Sequence, residues 1–285
     1  MDRLGGATDR ERVESALDSI VRENRVTIAV TVPLVGVVLL LAGEAGYVPD
    51  ALAFNPYMMV AAVTVMALPL IAGIAPVVDR RAALGLVALA AFTWAIELVG
   101  VNTGFPYGDF SYQRELGPML FGEIPLALPV FFVPILLNGY LLGLLALGDR
   151  ADRLAVRFPV VVALVVLLDL VLDPGAVSLS FWAWAEPGVY YGVPIVNFLG
   201  WVLAATVAVG ILTLAFDHAA IVERLETCPY MLDDLINFAV FWGLVNAAAL
   251  QVVPAIIAGG VLLVLARAPW FDFAGLSLGA WAAER

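Results

Sequence analysis

The chain has 285 residues, of which 63% are hydrophobic and only 14% are charged, whereas a water-soluble domain has roughly 45–50% apolar and about 25% charged residues. This composition excludes an ordinary soluble globule. It predicts an all-α, polytopic integral membrane helical bundle, because the apolar residues occur in runs long enough to cross a bilayer. The formal net charge is −11, and all 14 basic residues are arginine.

The residue inventory excludes several classes of function. Without lysine there is neither a retinal Schiff base nor a phosphate-loop lysine. A single histidine and a single cysteine exclude histidine-rich di-iron centres, internal disulfides and multi-cysteine metal sites. We therefore expect no metal and no other cofactor. The lack of a basic patch argues against a nucleic-acid partner, and the acidic, lysine-free composition favours a salt-in halophile over a merely biased genome.

The chain divides into three parts by polarity. Residues 1–25 carry five arginines, and Thr8 and Glu11 have the spacing of a capping box, so this segment predicts a cytoplasmic amphipathic helix on the membrane surface. Residues 26–266 are predominantly apolar and predict a membrane-embedded catalytic domain. Residues 267–285 form a short C-terminal tail.

Hydrophobic runs within the apolar part predict seven or eight spans. The last run is 32 residues long and contains Pro254, so a kinked seventh helix is the first choice and a short eighth helix is the alternative. The predicted spans are Val26–Gly43, Tyr57–Val78, Ala82–Val101, Ile124–Leu147, Phe158–Leu172, Pro194–Phe216 and Leu235–Ala266.

The arginines alternate between successive connections and so predict the orientation. The N-terminal segment and the second, fourth and sixth connections hold nearly all of them, and these sides are expected to be cytoplasmic. The chain would then be a multi-pass protein of the cell membrane. Two long connections, 102–123 and 173–193, would share the outer face, and connections of that length in a compact fold are usually functional.

Polar side chains inside the predicted spans mark a candidate site, because a carboxylate in a membrane is costly unless it has a function. Glu97 and Asp169 lie about one turn from the outer ends of their spans, Asp173 follows Asp169 at i+4, and Asn197 begins the sixth span. Aromatic residues are concentrated in the two outer connections. A pocket lined in this way suits a long apolar substrate with few polar groups.

Each of these features also has a purely structural interpretation. Tryptophan and tyrosine at span ends form interfacial belts, Asp173–Pro174 is typical of a helix end, and Glu97 is suited to a protonated hydrogen bond between helices. Asn138 is expected to make such an interhelical bond rather than to belong to a site. Asp233–Asp234 is interpreted as solvated charge at a helix start rather than as a metal motif.

Two long stretches resemble a known family. VNTGFPYGDFSYQRELGPMLFGEIPLALPV (residues 101–130) and LDLVLDPGAVSLSFWAWAEPGVYYGVPIVNFLGW (residues 168–201) are similar to the signatures of the carotenoid-biosynthesis hydratases of the CruF type. The resemblance is convincing from about Gly85 to Trp201 and weaker beyond it.

The resemblance implies a cofactor-independent integral membrane hydro-lyase that adds water to a terminal C=C bond of a carotenoid. Together with the acidic composition, it favours the C50 substrate of halophilic archaea, bisanhydrobacterioruberin, which is converted to bacterioruberin. The partners it implies are the carotenoid, the lipid bilayer and other membrane enzymes of carotenoid biosynthesis. It assigns no catalytic residue.

Hydration of a trisubstituted alkene is acid catalysis through a tertiary carbocation, and it needs an acid, a base, a water and stabilising aromatic faces. We expect Asp169 or Glu97 to be the acid and Asp173 or Asp109 to be the base. The residues expected to bind the substrate or the water are Asn102, Tyr107, Tyr112, Trp182, Trp184, Tyr190, Tyr191, Asn197 and Trp201.

Two other classes of function compete with the hydratase. Carboxylates within spans and broken helices also fit a transporter, although the polar groups cluster toward one face and no inverted repeat is visible. A non-catalytic carotenoid-binding protein of the same pathway is the other alternative.

Overall fold

The computed structural model describes residues 9–268, and helices dominate this part of the chain. The predicted tail from residue 269 onward and the capping residue Thr8 lie outside the described residues. The helices are α1 (Asp9–Glu23), α2 (Val32–Glu44), α3 (Asp50–Ala53), α4 (Pro56–Met66), α5 (Leu68–Ile74), α6 (Arg80–Thr103), α7 (Leu128–Leu147), α8 (Leu154–Ser178), α9 (Ile195–Ala215), α10 (His218–Thr227), α11 (Asp233–Ala248) and α12 (Val252–Arg267).

Five helices of the described chain are long and apolar enough to cross a membrane. A sixth span results if α4 and α5, which are bent by 43° at Ala67, are taken together. The all-α membrane class is therefore confirmed. The five are Thr27–Glu44, in which a π-helical turn precedes α2, followed by α6, Leu128–Asp152, α8 and α9.

Three predicted boundaries were wrong. Helix α8 does not end at Leu172 but continues through Pro174 to Ser178, and residues 124–125, placed in the fourth span, belong to a short strand. The first choice for the long final segment, one kinked helix, was also wrong, and the alternative of an additional short helix agrees with the structure. This segment forms two helices of 16 residues, α11 and α12, which break at residues 249–251 and pack against each other as a hairpin.

Small residues let the central helices approach closely. A Cβ added at Gly139 of α7 would lie 2.6 Å from Cγ2 of Val165 on α8, and one added at Gly143 would lie 2.6 Å from Cγ2 of Val161. Two glycines one turn apart therefore form the contact between α7 and α8, as is common between membrane helices. This close packing fixes the position of α8, which carries two of the candidate carboxylates.

The N-terminal helix packs against the rest of the bundle. The Arg10 guanidinium donates to the carbonyls of Ala75 and Val78, which follow α5, at 3.0 and 2.9 Å. Arg25 forms a two-pronged ion pair with Asp233 at the start of α11, at 2.6 and 2.9 Å. We refer to this side, with α1, residues 148–153 and α10, as the N-terminal end of the bundle.

The interpretation of Asp233–Asp234 as solvated charge was wrong, because both side chains are buried. Each carboxylate has a partner that offsets the cost of burial. Arg25 pairs with Asp233, and Asn138 of α7 donates to Asp234 at 2.7 Å. The prediction that Asn138 makes an interhelical hydrogen bond is confirmed.

The opposite side, called here the loop end, holds the two long connections, residues 104–127 and 179–194. They pair with each other through β1 (Phe110–Tyr112) and β4 (Trp182–Trp184), which are antiparallel, with Phe110 opposite Trp184. A second small hairpin joins β2 (Met119–Leu120) to β3 (Ile124–Pro125). The prediction that the two connections lie at the same end of the bundle is therefore confirmed.

Candidate active site

The ribbon formed by β1 and β4 covers a cavity at the loop end. Because side chains alternate along a strand, Phe110 and Tyr112 of β1 and Trp182 and Trp184 of β4 share one face. All four of these aromatic residues line the cavity. The aromatic clusters in the two connections are thus brought together by strand pairing, which the sequence did not predict.

Arg114 anchors this ribbon to the rest of the loop end. Its guanidinium donates to the Leu179 carbonyl at 2.8 Å and to Glu44 at the end of α2 at 2.6 Å, and it lies 3.4 Å above the centre of the Phe54 ring. A delocalised, weakly hydrated cation suits such a stacked position. The loop that carries β1 is therefore fastened to both α8 and α2.

The cavity and its mouth together contain about 950 Å³ of space not occupied by protein atoms, part of which is open to solvent. Its wall is formed by α4, α6, α7, α8, α9, α11 and the two connections, and it is aromatic and aliphatic except for two carboxyl groups, one amide and a few ring donors. The lining residues are Met59, Glu97, Tyr107, Phe110, Tyr112, Leu116, Pro125, Leu128, Phe131, Phe132, Ile135, Leu172, Asp173, Phe181, Trp182, Trp184, Asn197, Trp201 and Trp242.

The first carboxyl group of the cavity is Glu97, near the loop end of α6. It is buried, and the hydroxyl of Tyr112 donates to its Oε1 atom. The ribbon therefore supplies the hydrogen-bond partner of a carboxylate that lies on a membrane helix. This contact fixes the orientation of Glu97 toward the cavity.

The second carboxyl group is Asp173, which belongs to a buried cluster with Asp169 and Asn197. Because α8 continues through Pro174, the two aspartates lie one turn apart on the same helix face. The Asn197 amide of α9 donates to Asp169 at 3.2 Å and also to Asp173. One amide group thus joins both carboxyl groups across the contact between α8 and α9.

Most of the residues predicted for the site line the cavity. These are Glu97, Tyr107, Tyr112, Asp173, Trp182, Trp184, Asn197 and Trp201. Asp169 is fully buried and is not among the lining residues. Asp109 and Asn102 are exposed outside it, and Asn102 donates to Glu123.

Tyr190 and Tyr191 also lie outside the cavity wall and instead contact backbone groups of two helices. The Tyr190 hydroxyl donates to the Leu170 carbonyl of α8 at 3.1 Å. The Tyr191 hydroxyl accepts a hydrogen bond from the Val253 amide in the first turn of α12 at 3.3 Å. Both tyrosines therefore satisfy backbone atoms rather than forming the predicted substrate wall.

The contribution of α7 to the wall was not predicted from the sequence. Phe131, Phe132 and Ile135 line the cavity, and Phe132 stacks on Trp201 with ring centroids 4.6 Å apart and planes 14° apart. These residues occur within a long apolar run, where an aromatic side chain gives no signal of its own. The preceding Pro129, in the first turn of the helix, only indicates that they lie near the loop end.

A glycine allows the wall of the cavity to close around Tyr107. A Cβ at Gly200 of α9 would lie 2.7 Å from both the Pro106 carbonyl oxygen and the Tyr107 ring. The 104–127 connection therefore lies directly on the backbone of α9. This close approach places the Tyr107 ring 6.2 Å from that of Trp201.

The fold and the cavity define a polytopic helical membrane protein with a buried, aromatic site that contains carboxyl groups. Comparison with known families agrees with this class and narrows it. The model of the carotenoid biosynthesis protein family matches residues 54–265, so the chain belongs to that family. The match includes every residue that lines the cavity.

A named relative extends the comparison over most of the chain. The chain is 53% identical over 249 residues to the bisanhydrobacterioruberin hydratase of Haloarcula japonica, and the alignment covers 86% of this chain and 85% of the relative. No solved structure matches the chain. The resemblance inferred from the two long motifs is confirmed.

Proposed function

We propose that this protein is a carotenoid hydratase that adds water to the terminal C=C bonds of bisanhydrobacterioruberin, a C50 carotenoid, and forms bacterioruberin. The observation that carries the proposal is an aromatic cavity in which two buried carboxyl groups, Glu97 and Asp173, are among the few polar groups of the wall. The name of the relative supports the reaction and the substrate.

Asp173, which the sequence favoured as the base, is instead the proposed acid, because it lines the cavity and Asp169 does not. Two carboxyl groups that share one apolar site do not both ionise readily, and they hold one proton between them. Asp173 and Asp169 share the Asn197 amide, and of these two only Asp173 lines the cavity. Asp173 donates its proton to the less substituted alkene carbon. The π bond breaks, a C–H bond forms, and the other carbon becomes a tertiary cation.

Aromatic faces stabilise the carbocation without trapping it as a covalent adduct. A desolvated cation over an aromatic ring gains about 2 kcal/mol or more. The rings of Trp182, Trp184, Trp201 and Tyr107 line the same cavity as Asp173.

Glu97, which the sequence favoured as an acid, is the proposed base, because it lines the same cavity and is held there by the Tyr112 hydroxyl. Its remaining lone pairs orient the attacking water. The water oxygen bonds to the cationic carbon, and Glu97 takes the proton that the new C–OH₂⁺ group loses. Glu97 and Asp173 line the same cavity, so a proton can return to Asp173 through a further water. The sum of these steps is the addition of H₂O alone.

The proposal assigns catalysis to residues 26–266, with residues 1–25 as a cytoplasmic surface segment and 267–285 as a tail. Described residues from six helices and both connections meet at the cavity. The bilayer supplies the apolar substrate, and other membrane enzymes of carotenoid biosynthesis are the proposed source of it.

The first experiment is a pigment profile. The chain is expressed in a host that accumulates bisanhydrobacterioruberin, and the carotenoids are analysed by chromatography with mass spectrometry. We expect products heavier by one and then two waters, with unchanged polyene absorption because the hydrated bonds lie outside the chromophore. The variants Asp173→Asn and Glu97→Gln should give neither product.

Glu186→Gln is the matched control, because Glu186 is an exposed carboxylate of the same connection as β4. It should form both products at the normal rate. If the unaltered protein is well expressed in the membrane and forms no hydrated product, the hydratase proposal fails. Pigment that co-purifies unchanged would then favour the non-catalytic carotenoid-binding function.

A further inference from the structure

The Tyr190 hydroxyl contacts the backbone of α8 at the turn where a proline removes a helical hydrogen bond. Pro174 has no N–H group, so it cannot donate to the carbonyl of Leu170 four residues earlier, as a helix requires. The Tyr190 hydroxyl donates to this carbonyl instead, at 3.1 Å. A side chain from the loop end thus replaces the missing helical hydrogen bond.

The affected turn is the one that carries both aspartates. Leu170 directly follows Asp169 and precedes Asp173 by three residues, so the missing bond lies between the two carboxyl groups that Asn197 joins. A turn that lacks one of its axial hydrogen bonds bends more easily. The direction of the Asp173 carboxyl therefore depends on what holds the Leu170 carbonyl.

Tyr190 also contacts the helix that supplies the shared amide. Its ring packs edge-on against Phe198 of α9, with centroids 5.5 Å apart and planes 82° apart. Phe198 is the neighbour of Asn197 in the chain. Tyr190 thus holds α8 by its hydroxyl and α9 by its ring, at the level where the aspartates meet Asn197.

We propose that Tyr190 is a positioning residue of the hydratase, which fixes the Asp169–Asn197–Asp173 cluster by replacing the helical hydrogen bond that Pro174 removes. The inference rests on the proposed function, and it concerns a residue outside the cavity wall. Tyr190 therefore acts on turnover through Asp173 and not by contact with the substrate.

The test is a double-mutant cycle between Tyr190 and Pro174. Tyr190→Phe removes only the hydroxyl, and we expect kcat for carotenoid hydration to fall about tenfold, as for the loss of one well-placed hydrogen bond, with KM changed less than about twofold. Pro174→Ala restores an N–H group that can bond to the Leu170 carbonyl. In the Pro174→Ala background, Tyr190→Phe should therefore change kcat by less than about twofold.

Tyr230→Phe is the matched control. The Tyr230 hydroxyl donates to Asp18 at 2.5 Å at the N-terminal end of the bundle. This variant also loses one hydroxyl hydrogen bond, so its unfolding midpoint should fall, but its kcat should stay unchanged. If Tyr190→Phe behaves like Tyr230→Phe, Tyr190 is only structural and the proposal is overturned.

A second readout keeps the cycle informative if Pro174→Ala lowers activity by itself. The midpoint of thermal unfolding in detergent should fall when Tyr190→Phe is made in the unaltered protein, in which Pro174 is present. The midpoint should stay constant when the same change is made in the Pro174→Ala variant, because the restored N–H group already holds the Leu170 carbonyl. Equal losses in both backgrounds would overturn the inference.

Absence of hydration by the unaltered protein would instead reject the proposed function, so the two failures are distinguishable.

Discussion

At the scale of single residues, the two aspartates of α8 have different expected roles. Asp173 lines the cavity, whereas Asp169 is fully buried, does not line it and shares the Asn197 amide with Asp173. Acid catalysis by a positioned side chain contributes typically about 10²–10⁴-fold. We expect Asp173→Asn to lower the rate of hydration by this whole factor. Asp169→Asn should lower the rate by about 10–100-fold, so that turnover stays measurable.

Initial rates of product formation in membranes that contain equal amounts of each variant would check this prediction. Equal losses for both variants would show that Asp169 also donates to the alkene. The sequence predicted both residues, because a carboxylate in an apolar run is rare and conspicuous. It did not distinguish them, since their difference depends on the rotation of α8, which its packing against α7 and α9 determines.

At the scale of the helices, the contact between α7 and α8 depends on the absence of a side chain. A Cβ at Gly139 would lie 2.6 Å from Val165 Cγ2 and 3.3 Å from the Val165 Cα atom, so the two backbones would have to separate. Overpacking of this kind costs about 1–3 kcal/mol. We expect Gly139→Ala to lower the unfolding midpoint and to lower turnover, because α8 carries Asp173.

Gly210→Ala in α9 provides the control, because a Cβ there meets nothing within 4 Å. It should be neutral or slightly stabilising, since alanine favours a helix by about 0.5–1 kcal/mol over glycine. Thermal unfolding of both purified variants would measure the difference. A destabilised Gly210→Ala together with a normal Gly139→Ala would contradict the packing described for α7 and α8.

The helices themselves were largely predictable, because an apolar run of this length is typical of a membrane-spanning helix. The errors arose where tertiary contacts override a local signal. Pro174 predicts a helix end, yet α8 continues to Ser178, and the Tyr190 hydroxyl donates to the Leu170 carbonyl that the proline leaves without its helical partner. The turn between α11 and α12 has no glycine or proline, and Leu250 adopts a φ of 59° there. Pairing of β1 with β4 joins segments about seventy residues apart, which no local pattern encodes.

At the scale of the whole molecule, the arginine pattern predicts that the loop end faces the outside of the cell and the N-terminal end faces the cytoplasm. The natural chain offers a clean background for a labelling test, because its single cysteine, Cys228, is buried. Val189 at the loop end and Asp149 at the N-terminal end are both exposed. Each can therefore be replaced by cysteine without disturbing the core.

We expect Val189→Cys to react with a membrane-impermeant maleimide on intact cells, and Asp149→Cys to react only after the membrane is permeabilised. The unaltered protein should remain unlabelled in both conditions. The reverse pattern would place the loop end in the cytoplasm. Because the cavity with Glu97 and Asp173 lies at the loop end, the expected pattern means that water for the reaction enters from the outer side and that the hydroxylated end of the carotenoid forms near the outer leaflet.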